Sequence, residues 1–106
     1  MTGHRTVYVT VPDRETALAI ARAIVGERLA ACANLLGEIQ SVFWWDGSVR
    51  EEGEVALIAK TTEEQAPALI ARIRALHPYA VPCVVTWPIA EACQPYLDWI
   101  SASVQP

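Results

Sequence analysis

Apolar and polar residues alternate along this chain with two different periods, which predict a mixture of strands and helices. Residues 7–11 alternate as on a half-buried strand, while apolar residues recur every three or four positions in 17–25 and 69–76, as on one face of a helix. Short apolar runs elsewhere indicate further strands, because helices need more residues. The predicted strands are Val7–Val11, Ile39–Trp45, Val49–Lys60 and Cys83–Trp87, and the predicted helical stripes are Ala17, Leu18, Ala21, Ile24 and Val25, and Leu69, Ile70, Ile73 and Leu76.

Turn and cap residues separate these elements. Asp13 follows a proline and is a natural N-cap for the first helix, which we expect to end near Gly26. Arg28 suits the negatively polarised end of that helix. Asp46-Gly47 is a strong hairpin signal between two predicted strands.

The start of the second helix has two interpretations. Thr61-Thr62 followed by Gln65 has the pattern of a capping box, which predicts an early start. Pro67 disfavours that start, because it would lie too deep for a proline of the first turn. The alternative is a helix that begins nearer Ala66.

The resulting order of elements predicts the fold class. It reads β-α-β-β-α-β, with a long hairpin between the second and third strands, and Gln94-Pro95 can start an extra C-terminal helix. This is the order of the α+β, ferredoxin-like arrangement. With 106 residues, we expect one domain over 1–106.

The predicted sheet has apolar residues on both faces. Helices cover only one face of a ferredoxin-like sheet, yet residues 42–45 and 55–58 place large apolar groups on both sides. An exposed apolar face marks an interaction surface. We therefore expect a closed homo-oligomer, the alternative being that the last helix folds back over this face.

Composition narrows the classes of partner and the compartment. The net charge is −4 and no basic run occurs, which disfavours nucleic-acid binding. No apolar stretch approaches the roughly 20 residues of a membrane span. The three cysteines have irregular spacing and are expected to be reduced thiols, so we expect a cytoplasmic protein.

The connector His77–Pro82 is the strongest candidate for function in the sequence. His77-Pro78 ends the second helix, and the two prolines stiffen the segment that leads into the last strand. An imidazole and the phenol of Tyr79 are thus held at one end of the sheet. Polar side chains on rigid connectors often carry function.

Two residues are candidate metal ligands. The imidazole of His77 suits copper, nickel or zinc, and the thiolate of Cys32 suits Cu(I) or zinc. The alternatives are a His77 that caps its helix beside Pro78 and Tyr79, and a Cys32 that is an inert buried thiol among alanines. His4 lies near the terminus and is expected to be mobile.

Charged residues give weaker signals. Lys60 is the only lysine of the chain and ends an apolar strand, where it either presents a cation in a subunit cleft or extends its stem towards water. Glu51, Glu52 and Glu54 are either hard oxygen ligands or a solvated strand edge. No phosphate-binding loop or catalytic set is present, and a pair of Cys32 with His77 remains only a possibility of the sequence. We expect no enzymatic activity.

Five strings together resemble the divalent-cation tolerance family named CutA. They occur in the family's order and spacing and cover nearly the whole chain. The strings are Arg28–Asn34, Ser41–Gly47, Leu57–Thr61, His77–Pro82 and Pro95–Ile100.

The resemblance implies an assembly and a biological role. It implies a ferredoxin-like domain in a tight trimer, similar to PII signalling proteins, and a link to tolerance of copper and other divalent metals. A thiol near the first strand in some members is absent here, where Val9 and Thr10 stand, which argues against transferring a specific copper site.

Three hypotheses follow. The first is a cytoplasmic homotrimer that binds copper or another divalent cation weakly, through His77 and neighbouring groups, without an organic cofactor. The second is a PII-like sensor that binds a small ligand in an inter-subunit cleft near Lys60, Tyr79 and Trp45 and is read by an unidentified partner protein. The third is a structural trimer that anchors other proteins.

Overall fold

The structure is a computed structural model that describes residues 1–105, and its elements follow the predicted order. Their bounds are β1 His4–Val11, α1 Arg14–Gly26, β2 Cys32–Trp45, β3 Ser48–Thr62, α2 Ala66–Leu76, β4 Val84–Pro88 and α3 Gln94–Ser103. Within this range no helix is long and apolar enough to cross a membrane.

The four strands form one antiparallel sheet in the order β2-β3-β1-β4, which confirms the ferredoxin-like prediction. β1 lies inside the sheet, where Val7 faces Ala59 of β3 on one side and Thr86 of β4 on the other. Helices α1 and α2 pack on one face and bury the main core. Its fully buried large side chains are Val7, Val9, Val11, Ile20, Ile24, Leu57, Leu69 and Ile73.

The first helix starts as predicted, but its buried stripe is rotated. The backbone N–H of Thr16 donates to the Asp13 carboxylate over 2.7 Å, and this bond lowers the pKa of that carboxyl below its ordinary value. Ile20 is buried, whereas the predicted Val25 is 37% exposed. Both residues fit a stripe with Ala17, Ala21 and Ile24, so the sequence pattern alone did not fix the rotation of the helix on the sheet.

Arg28 stabilises a different helix from the one predicted. Its guanidinium donates to the backbone carbonyls of Ala102 and Ser103, at the end of α3, over 3.0 and 2.9 Å. A cation there meets the negative end of the helix dipole. The chain turns with Arg28 in the left-handed region, at φ 60°, just after α1.

The second helix begins at Ala66, so the capping-box interpretation is wrong and the later start is confirmed. Thr61 and Thr62 continue β3 instead, and the buried Thr61 hydroxyl donates to the carbonyl of Leu29 over 2.7 Å. Strand β1 pairs with β3 as far as Thr62, whose hydroxyl also accepts the backbone N–H of Gln65 over 3.3 Å in the turn before α2.

Strands β2 and β3 continue past the rest of the sheet as a two-stranded arm, residues 38–54. Their pairing runs from Cys32 opposite Lys60 to Trp45 opposite Ser48, whereas β1 reaches only as far as Val55. At the tip Asp46 and Gly47 both have positive φ, 50° and 78°, as the predicted hairpin turn requires.

A β-bulge at Leu36 sets which side chains of the arm share a face. The register shifts between Leu35 and Gly37, and Gly37 adopts φ 115°, which favours glycine. Because the bulge takes up one residue, Phe43 and Trp45 share the side of Cys32 and Lys60 although their positions along β2 differ from Cys32 by an odd number. Trp44 lies on the other side of the arm.

The sheet face without α1 and α2, called the open face below, is only partly covered by α3. Ile100 and Val104 pack with Ala31 near the start of β2. On β4, Val85 and Trp87 remain 47% and 45% exposed. The last helix therefore leaves a substantial apolar part of the open face uncovered.

His4 is an ordered residue of β1, contrary to the expectation of a mobile terminus. Its ring nitrogens lie 2.9 Å from the carbonyl oxygen of Thr2 and 2.8 Å from the hydroxyl of Ser101. The bond to Ser101 joins the start of the sheet to α3.

Candidate functional site

A cleft of about 590 Å³ lies between the arm and the connector His77–Pro82. The bulge turns the arm's aromatic rings towards the connector, which supplies the opposite wall. Three aromatic and three charged side chains dominate the lining. They are Phe43, Trp45 and Tyr79, and Arg50, Glu52 and Glu54.

His77 holds the connector in place with both ring nitrogens. Nε2 lies 2.7 Å from the carbonyl oxygen of Thr10, and Nδ1 accepts the backbone N–H of Tyr79 over 3.2 Å. Since a carbonyl oxygen only accepts, the contact with Thr10 places the ring proton on Nε2. Nδ1 accepts an N–H and therefore carries no proton. His77 is 7% exposed and also ends α2, so it fixes helix, strand and connector together.

Tyr79 closes the inner end of the cleft. Its ring lies 4.8 Å from that of His77, centroid to centroid, and its hydroxyl donates to Glu54 over a long 3.4 Å. Burial raises the pKa of Tyr79 above its ordinary value, and the charges of Glu54 and Glu52 raise it further. The phenol therefore stays protonated and remains a donor.

Glu54 is a buried carboxylate that forms no ion pair with any of residues 1–105. It is 8% exposed, and neither of the two ion pairs found among residues 1–105 includes it. Arg50 lines the same cleft, but its Nε donates to the hydroxyl of Ser48 over 3.2 Å. The inner end of the cleft is consequently negative.

The structure brings together two of the three residues predicted for a ligand cleft. Trp45 and Tyr79 both line the cavity, whereas Lys60 does not. Lys60 lies opposite Thr6 and Cys32, six residues along β3 from Glu54, which is roughly 20 Å. A role for Lys60 in a cleft between copies stays a prediction.

The two predicted metal ligands lie apart. Cys32 lies in the same row of the sheet as Thr6, whereas His77 contacts Thr10. Thr6 and Thr10 are four residues apart on β1, which separates the two rows by roughly 13 Å. A Cys32–His77 catalytic pair is therefore not formed within the chain. Across residues 1–105, no three His, Cys, Asp or Glu side chains converge on a point that could hold a metal ion.

Cys32 instead contacts an aromatic hydroxyl. Its Sγ lies 3.4 Å from the hydroxyl of Tyr96, and the thiol is half-buried. This bond, together with burial, raises the pKa of Tyr96 to about 12. The pair joins the start of β2 to α3.

Glu54 differs from the two glutamates that precede it. The sequence pattern predicts all three as either oxygen ligands or a solvated strand edge, but Glu51 and Glu52 are exposed and Glu54 is not. One signal was present: Glu54 directly precedes the apolar run 55–59, where β1 begins to cover β3. The closing of the cleft by Tyr79, from 25 residues away, was invisible in a local pattern.

Comparisons with known proteins point to one family. A family model described as CutA1 divalent ion tolerance protein matches residues 5–103. A divalent-cation tolerance protein CutA from Thermus thermophilus is 49% identical over 94 residues, which are 89% of this chain and 91% of the relative. The rice chloroplastic protein CutA 1 is 42% identical over 93% of this chain, which spans 56% of that relative.

Solved structures agree with this result. The structure of the Thermus thermophilus protein aligns with a TM-score of 0.93 and 45% identity, covering 96% of this chain and 99% of that one. The structure of CutA from Archaeoglobus fulgidus, described as periplasmic, aligns with a TM-score of 0.93 and 36% identity over the same shares.

Proposed function

The chain belongs to the CutA1 divalent ion tolerance protein family and has a role in divalent cation tolerance, and from this premise we propose that it works as a homotrimer that binds copper or another divalent cation weakly and catalyses no reaction. The observation that carries the proposal is the amount of apolar surface that a single chain leaves exposed.

This exposed surface lies on the open face and on the arm. All four tryptophans are at least 45% exposed, and Trp44 reaches 71%. Burial of apolar surface contributes about 25 cal/mol per Å². Packing the open faces of several copies together, with the arms reaching over their neighbours through the side of Trp44, would remove most of this area from water and leave the cleft beside Trp45 accessible.

Measuring the mass in solution tests the assembly. At micromolar concentration, we expect light scattering coupled to size-exclusion chromatography to give three times the 11.6 kDa of one chain. The apolar open face provides the reason, since a separated chain would expose it to water. A mass of one chain over this concentration range would contradict the trimer.

The geometry supports weak rather than tight metal binding. His77 can reach a metal only by giving up a hydrogen bond to Thr10 or Tyr79, and Cys32 only by leaving Tyr96. Dedicated sites use three or four converging ligands. We propose that His77 and Cys32 act at separate positions, with remaining ligands from solvent or other copies.

A copper titration tests the role of His77. We expect His77→Gln to take up less Cu²⁺ than the unsubstituted protein, because the amide replaces the imidazole while it retains a donor and an acceptor. His4→Gln is the matched control for a second hydrogen-bonded histidine. Equal uptake in His77→Gln and the unsubstituted protein would remove His77 from the account.

A second function is favoured by the cleft itself. Its volume of about 590 Å³ falls in the range of small-molecule pockets, roughly 300–1,000 Å³. A PII-like sensor would bind a small ligand there and change the arm, which a partner protein would then recognise.

We also propose a cytoplasmic location. All three cysteines are free, and Cys83 and Cys93 are exposed, which suits a reducing compartment.

A further inference from the structure

We propose that the cleft between the arm and Tyr79 binds a small organic cation, an ammonium or guanidinium group carried on an apolar body. This inference rests on the ligand-sensing function proposed above and names the chemical class of its ligand.

The first argument is the charge of Glu54. A carboxylate removed from water needs a cation or several hydrogen bonds to offset the cost of desolvation. Within residues 1–105, Glu54 receives one long hydrogen bond from Tyr79 and forms no ion pair. Arg50 is directed to Ser48 at the outer end of the cleft. A cation from outside the chain is the missing partner.

The second argument is the aromatic lining. Phe43, Trp45 and Tyr79 contribute to the walls of the same cavity. Aromatic faces attract cations through their quadrupole, and tryptophan does so best. Aromatic rings beside a carboxylate therefore favour an organic cation over a neutral or anionic molecule.

The third argument is preorganisation. The two ring bonds of His77 fix the connector, and Pro78 and Pro82 restrict it further. The Tyr79 hydroxyl is therefore already placed beside Glu54 before a ligand arrives. A fixed wall lowers the entropic cost of binding.

The same lining disfavours a bare metal ion. Among residues 1–105, Glu52 and Glu54 are the only carboxylates that line the cavity, and no third ligand converges with them. A divalent metal held by these two side chains alone would have to take its remaining oxygen ligands from water. An ammonium or guanidinium group needs only a carboxylate and an apolar surface.

The test uses three molecules of one shape and different charge, titrated calorimetrically into the full chain in low-salt phosphate buffer. We expect benzylammonium to bind saturably, and benzyl alcohol and benzoate to bind at least about tenfold more weakly, since a bond to a charged group contributes about 1.5–3 kcal/mol.

Variants then locate the site. Glu54→Gln keeps the shape and removes the charge, so we expect about tenfold weaker binding of benzylammonium. Glu51→Gln makes the same change at an exposed position on the other side of the arm, and is expected to change binding less than about twofold. Circular dichroism verifies the fold of both, and the exposed Glu52→Gln serves as a second charge deletion if Glu54→Gln does not fold.

Each contrary result has a distinct meaning. No binding of benzylammonium, or equal binding of benzyl alcohol, overturns the cation assignment. Saturable binding of benzoate alone overturns the ligand class but keeps a small-molecule cleft. A third result would be that Glu54→Gln loses the trimeric mass while benzylammonium does not bind the unsubstituted protein. It would identify a cation of a neighbouring copy as the partner of Glu54, and the inference would be overturned. Neither the solution mass nor the copper titration of the unsubstituted protein depends on these outcomes.

Discussion

Replacing His77 with alanine is expected to lower the free energy of unfolding by about 2–4 kcal/mol. The substitution removes the ring of a residue that is only 7% exposed and leaves the carbonyl of Thr10 and the N–H of Tyr79 without their partner. Unpaired buried polar groups and an empty cavity each destabilise the folded state. Urea denaturation followed by circular dichroism, at a fixed protein concentration because of the proposed assembly, measures the difference.

His4→Ala is the matched control for this experiment. His4 also uses both ring nitrogens, with Thr2 and Ser101, but its bonds are partly or fully exposed and water can replace them. We expect a loss below about 1.5 kcal/mol. Equal losses of unfolding free energy in the two variants would show that the buried hydrogen bonds of His77 stabilise the fold no more than the exposed bonds of His4.

Introducing a charge at Val85 is expected to separate the trimer into single chains. Val85 lies on the open face beside Tyr8 and is 47% exposed in one chain. In a trimer that buries this face, glutamate at position 85 would place an unpaired carboxylate in an apolar interface, which costs several kcal/mol per copy. Light scattering at micromolar concentration should give the mass of one chain, with the far-ultraviolet spectrum of a folded domain.

Val25→Glu is the control for Val85→Glu. Val25 is 37% exposed on α1, on the opposite side of the sheet, so the same charge there should leave the mass unchanged. If Val85→Glu kept the mass of the unsubstituted protein, the open face would not be the surface that joins the copies.

Local signals predicted most of the fold. Asp13, Asp46-Gly47 and the prolines of α2 and α3 act through their immediate neighbours, and the structure confirms each of these boundaries. The rotation of α1 was not predictable, because the sheet selects the buried stripe. The hydrogen-bond partners of Arg28 were not predictable either, because they lie more than 70 residues away along the chain.

Only part of the candidate site could be predicted. The connector and the aromatic residues Trp45 and Tyr79 were visible in the sequence, because prolines and large rings are local features. Only the apolar run that begins at Val55 hinted at the depth of Glu54, since that depth depends on where β1 stops and where Tyr79 lies. The bulge at Leu36 was also missed, because Gly37 permits it but does not require it.

That bulge lets the hairpin accept a change of one residue without exchanging its two faces. The pairs on either side of Leu36 use consecutive residues of β3, so deletion of Leu36 would leave a single regular ladder. Trp45 would still lie opposite Ser48, and Phe43 opposite Arg50, on the side of the connector. Among related genes, the loss of one codon at this position is therefore expected to spare the recognition surface of the hairpin.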